Sequence, residues 1–179
     1  MNNILKKFYR ANASVLALYT VICAVIIGAF FLTGIFAKEK TFSAGILASA
    51  FIILSDLIMF AQVFALAPIK LRRQLDALSA EERAAVIEEF DSAQQINGRY
   101  FLNEFAVIFS YRRIYLLRYT DIFTAERGQR NLFLTLKSGK SVIIEFSYTE
   151  DIGQTLAALM LKAPCMHLIT AKTKKNADK

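Results

Sequence analysis

Five arginines supply the densest chemistry in this sequence: Arg112-Arg113, Arg118, and Arg127 with Arg130. A planar guanidinium offers paired donors to phosphate or carboxylate, so arginines gathered at the open end of a small barrel would hold an anion. The competing reading is a set of solvated turn residues, some of them paired with Asp121 and Glu126. The neighbouring Tyr111, Tyr115, Tyr119, Phe123 and Tyr148 read as core or sheet surface.

Asp56 is the other candidate, because it lies inside a long apolar run. An aspartate near mid-membrane costs about 2.5–3.5 kcal/mol on insertion scales, so it must face protein or water. If the two apolar runs pair antiparallel, Asp56 falls level with Tyr19, Thr20 and Cys23, whose hydroxyls or thiol can hydrogen-bond it. One reading is a proton or ion relay, or a contact with a partner's helix. The other is a residue that locks the hairpin or a homodimer. Ala44, Gly45, Ala48, Ser49 and Ser55 permit close helix approach nearby.

Catalytic chemistry is not legible. The seven glycines form neither a phosphate-binding loop nor a dinucleotide fingerprint. Cys23 and Cys165 do not suggest a pair, and His167, the single histidine, leaves no Cys/His set for zinc. Glu81, Glu82, Glu88 and Glu89 diverge around a helix and make a poor metal site. The expectation is therefore a non-enzyme with no catalytic residue, metal or cofactor.

The elements that must carry these residues begin with two apolar runs, 11–36 and 42–67. Each exceeds the ~20 residues a helix needs to cross ~30 Å of hydrocarbon, so residues 1–68 read as a transmembrane hairpin. A cleaved signal peptide is the competitor, but the first run exceeds an ordinary signal core and a second follows at once. Lys6, Lys7 and Arg10 precede the first run and Lys70, Arg72 and Arg73 follow the second, against Lys38 and Lys40 between them. Basic residues favour the cytoplasmic side, which predicts a multi-pass protein of the cell membrane with both termini cytoplasmic. Of the formal charge of +7, five Lys/Arg against two acids up to Ala67 leave +3 there and +4 beyond. That is short of a nucleic-acid binder but enough to favour an anionic leaflet.

Pro68 reads as the stop of the second span, and residues 69–98 as a juxtamembrane linker with a short helix. Ser79 and Glu82 match a capping box, and Ala84, Ile87 and Phe90 form the apolar stripe. From Arg99 the pattern turns to strands. Arg99–Leu102 and the alternating Phe105, Val107 and Phe109 form a hairpin across Asn103-Glu104. Ile114–Tyr119 and Thr120–Ala125 follow, and Arg127–Arg130 form a polar turn. Leu132–Leu136 and Val142–Phe146 pair across a two-residue Ser138-Gly139 connection. Thr149 is the expected N-cap of a closing helix whose apolar positions are Ile152, Leu156, Leu159, Met160 and Ala163, ended by Pro164. Residues 165–179 read as a basic flexible tail.

The stretch Phe101–Phe146, with Tyr100–Glu104, Leu117–Ile122, Leu132–Leu136 and Lys137–Lys140 in order, resembles the pleckstrin-homology-like domains that follow a transmembrane hairpin in small bacterial membrane proteins, the YcxB-like group among them. The resemblance implies an α-helical membrane hairpin plus an α+β soluble domain at 99–164, a small antiparallel barrel or sheet capped by a C-terminal helix. It implies no activity. The expectation is a non-catalytic interaction or regulatory module. Its partners are the lipid bilayer with anionic lipid headgroups or a membrane or cytosolic protein, with a homo-oligomer open and nucleic acid excluded. The alternative is an oligomeric, transport-related or proton-coupled component that uses Asp56.

Overall fold

The computed structural model describes residues 1–33, 35, 39–110 and 112–169, with the backbone alone at 39 and 40. Lys38, Tyr111 and most of the expected tail, 170–179, lie outside the described residues. Helices α1 (Asn2–Leu32) and α2 (Glu39–Ala61) are followed by a π-helical turn (Gln62–Leu66), α3 (Ala67–Asp76) and α4 (Ala80–Glu89). Strands β1 (Gln94–Ile96), β2 (Arg99–Phe101), β3 (Phe105–Ser110) and β4 (Arg113–Arg118) then form one antiparallel sheet in chain order. After a 3₁₀ turn come β5 (Ile122–Arg127), β6 (Asn131–Leu136), β7 (Ser141–Glu145), helix α5 (Ile152–Lys162) and β8 (His167–Ile169). These strands make a second sheet in the order β7-β6-β5-β8, antiparallel except at β8.

Pro68 does not end the second helix. It sits just after the π-helical turn, within a helix that continues through it, and that turn accommodates the lost hydrogen bond and the proline ring, with the Ala67 amide donating to the Gln62 carbonyl. The helix is therefore continuous over Thr41–Asp76, and both it and α1 are long and apolar enough to cross a membrane. The large apolar side chains that α1 exposes run from Val15 to Leu32, and the second helix exposes another series from Phe42 through Phe64 and Leu66 to Ile69. The α1 stretch rises about 27 Å at 1.5 Å per residue, close to the ~30 Å hydrocarbon thickness. Tyr9 against Phe64 and Tyr19 against Ser55 show the helices antiparallel and level.

Below Val15 the same helices turn inward. Ile4 and Phe8 of α1, Val63, Leu71 and Leu75 of the second helix, and Val86 and Phe90 of α4 bury against Tyr100, Phe105, Val107 and Ile114 on the outer face of the first sheet. The Lys7 ammonium lies over the rings of Phe90 and Tyr100 at 4.7 and 4.9 Å. A second core fills the space between the sheets, with Ala106, Ile108, Leu117, Leu132, Leu134 and Ile144 covered by Ile152, Leu156 and Leu159 of α5. Strand β3 lies between both cores, which is why Phe105–Ile108 are all buried and the run is apolar on both faces. The domain is thus packed onto the helix feet rather than tethered to them.

Several local expectations change. The strand region starts at Gln94 rather than Arg99, because Asn97 (φ 50°) and Gly98 (φ 71°) form a two-residue turn that joins β1 to β2. The β6–β7 connection has three residues, Lys137-Ser138-Gly139. The Leu136 amide donates to the Lys140 carbonyl, and Gly139 takes φ 80°. Asp151, not Thr149, caps α5, accepting from the Gly153 amide at 2.7 Å, while Met160 is half exposed. The capping box at Ser79 forms, but α4 buries Val86 and Phe90 and leaves Ala84 and Ile87 outward, since the first sheet approaches from the other side. The segment read as the start of a tail contains β8, which covers the open edge of β5.

Candidate functional site

The β3–β4 connection is the sharpest local feature. Ser110 pairs with Arg113 across only two intervening residues, and Arg112 takes φ 62°, a left-handed conformation uncommon for a residue with a Cβ. From that turn the Arg112 guanidinium reaches the Met59 sulfur. Met59 is buried in the hairpin, level with the start of the exposed apolar series on α1 at Val15. Arg113 opens β4, and its Nη1 donates to the Tyr115 hydroxyl at 3.4 Å. That hydrogen bond and the electrostatic attraction of the same Tyr115 raise the Arg113 pKa above its usual value against the opposing effect of burial, with Glu145 adding least. Arg113 therefore stays cationic at any physiological pH.

Arg112 and Arg113 line a cleft of about 490 Å³ between the second helix and the β domain. The helix contributes Gln62, Leu66, Ala67 and Lys70, and the outer face of β7 contributes Ser141, Ile143 and Glu145. Three cations, one carboxylate, three hydroxyl-bearing residues of the sheets (Ser110, Tyr115 and Ser141) and three apolar side chains therefore share one open space. A companion cleft on the α1 side carries Asn12, Val15, Arg99 and Glu150, and Ser110 and Glu145 border both.

The other arginines of the sequence do something different. Arg118 forms an ion pair with Glu82 of α4 and lies 5.3 Å from the centre of the Phe105 ring, so it clamps the sheet to the helix. Glu82 is held below its usual pKa, first by the Ser79 backbone hydrogen bond, with the Ser79 hydroxyl and Arg118 adding to it. Arg127 is exposed at the end of β5. Arg130 stacks on Tyr148, and its carbonyl accepts from the Phe146 amide. Neither lines the cleft. The five arginines are therefore not one constellation. Only Arg112 and Arg113 share a site, and the third cation there is Lys70, which in the sequence looks like an ordinary flanking basic residue.

In the hairpin, the Thr20 hydroxyl donates to the Asp56 carboxylate at 3.1 Å, and Tyr19 bonds Ser55 at 2.6 Å. Cys23 is buried one turn farther along. Asp56 lies within the series of exposed apolar side chains that the second helix carries from Phe42 to Ile69.

The most deeply buried charge is Arg99, at 2% exposure. Its guanidinium donates to the Asn97 carbonyl, to the Glu145 carbonyl at 2.6 Å and to Glu150 at 3.1 Å, with the Phe146 ring 4.0 Å away. Burial lowers its pKa, and Glu150 partly offsets that. These partners make it an internal tie between β2, β7 and the start of α5. Among the described residues no group of three or more His, Cys, Asp or Glu could hold a metal. No family model matches this chain, and no curated protein and no solved structure matches it significantly.

Proposed function

We propose that this chain is an integral membrane protein whose helical hairpin holds a non-catalytic interaction domain, of the pleckstrin-homology-like kind, rigidly at the cytoplasmic surface of the cell membrane. The observation that carries the reading is the distribution of exposed apolar side chains. They crowd on α1 beyond Val15 and on the second helix from Phe42 to Ile69, whereas Ile4, Phe8, Leu71 and Leu75 at the feet of the same helices are buried against the first sheet. A water-soluble chain would not leave such a belt uncovered. Two packed sheets with α5 over the core between them support the resemblance in outline, and β8 adds a parallel strand after that helix. Function is then positional: the hairpin fixes height and orientation, and the domain offers surfaces to lipid headgroups or to a protein partner.

The native cysteines test the setting, because Cys165 is exposed on the domain and Cys23 is buried in the hairpin. A membrane-impermeant maleimide should label Cys165 in inverted membrane vesicles and not in intact cells. Labelling in intact cells would reverse the orientation, and release of the chain by alkaline carbonate would remove the membrane assignment. Photo-crosslinkers at Arg130 and Ile58 then separate a domain partner from a hairpin partner.

A further inference from the structure

We infer that the cleft between Lys70, Arg112 and Arg113 is a phosphodiester site that takes the headgroup of a phospholipid from the leaflet next to the domain. The inference rests on the membrane setting proposed above and adds to it a ligand and a place. Its first support is height. Arg112 touches Met59, Gln62 lines the cleft, and the exposed apolar side chains of the second helix run on through Phe64 and Leu66 to Ile69, next to Lys70. The cations therefore stand at the level where hydrocarbon gives way to headgroups.

The second support is the character of the walls. Leu66 and Ile143 are exposed apolar side chains in the same space as the three cations. A free phosphate has no use for them, whereas the first carbons of a glycerolipid do.

The third support is preparation of the donors. Tyr115 orients Arg113 through its hydroxyl, and Arg112 is held in a left-handed turn that an ordinary hairpin would assign to glycine or asparagine. Backbone strain of this kind gathers at ligand sites, and here it aims a charge. Glu145, on the β7 wall, opposes anion binding, so the cleft weakens binding with one carboxylate while it attracts with three cations.

Native mass spectrometry of the full chain, released from uncharged micelles that contain phosphatidylglycerol, reads retained lipid directly. The double variant Lys70→Gln/Arg113→Gln should cut retention about tenfold or more, since each basic residue near an anionic surface contributes about 1 kcal/mol. Arg112→Gly removes a charge while easing the backbone, so it should lower retention without unfolding. Glu145→Gln should raise retention, a gain that misfolding cannot mimic. Equal retention in wild type and double variant would overturn the site. Displacement of the lipid by inorganic phosphate at similar concentration would overturn the lipid as its ligand. A chain that resists carbonate extraction but retains no lipid refutes this inference alone, whereas a chain that carbonate releases refutes the membrane setting beneath it.

Discussion

The carboxamide of Gln74 in α3 accepts from the Leu116 amide at 2.6 Å through Oε1 and donates to the Ile114 carbonyl at 3.3 Å through Nε2. One side chain thus takes the place of a neighbouring strand along the free edge of β4. An open edge is a site for unwanted pairing, and a helix that covers it also fixes the sheet's angle to the hairpin. The tie is mechanical as well as protective, because α3 continues the second long helix.

Gln74→Leu should therefore destabilise the domain by about 1–3 kcal/mol, the range for leaving two backbone groups without partners. Hydrogen exchange at the Leu116 amide should rise by at least tenfold, with little change at Ile108 in the middle of β3. Unchanged protection at Leu116 would show that the carboxamide does not carry the edge.

Glu150→Ala leaves the Arg99 guanidinium buried with carbonyl partners alone. The cost should be about 3 kcal/mol in thermal or denaturant unfolding, toward the low end for a broken buried pair because Glu150 keeps 28% of its side chain exposed. Arg99→Met/Glu150→Gln should recover part of that loss, since it removes the charge that needs the partner. A double variant no better than Glu150→Ala would mean that packing around Phe146, rather than charge, is what Arg99 supplies.

The capping box carries a pH signature. Glu82 has a lowered folded pKa, so its contribution is fully present above the usual glutamate range and is lost as pH falls through the lowered value. Protonation removes the acceptor for the Ser79 amide and the partner of Arg118. The protection of the Ser79 amide, taken as its exchange rate relative to the intrinsic rate at each pH, should therefore fall on acidification, and Glu82→Gln should flatten that response.

Thr20→Val removes the donor to Asp56 within the apolar belt and should weaken the hairpin by about 1 kcal/mol, the usual scale of an interhelical hydrogen bond in a membrane. Asp56→Asn keeps the Thr20 bond and should leave lipid retention unchanged. If Asp56→Asn instead abolishes an ion or proton flux measured in proteoliposomes, Asp56 serves transport and not only the hairpin.

Much of this protein was legible in one dimension. Runs of apolar residues specify long helices because a span depends on length and hydropathy alone, and the pairing of Thr20 with Asp56 follows from counting equal steps along two antiparallel helices. Alternation placed the strands from Arg99 to Phe146, and Ser79 with Glu82 marked the start of α4, since each depends on neighbours a few residues away. Even the missed β1–β2 turn had a local signal in Asn97-Gly98.

What only the tertiary structure decided was which side chains share a space. Arg118 looks like Arg113 in sequence, yet one meets Glu82 on α4 and the other lines the cleft with Lys70, because the packing of the first sheet on the helix feet sets their neighbours. The same packing buries Val86 instead of Ala84, makes β3 apolar on both faces, and keeps Pro68 inside a helix whose π turn absorbs the lost bond. Periodicity says that a face is apolar or a residue charged. Which surface it meets depends on contacts between residues tens of positions apart, and no local pattern encodes them.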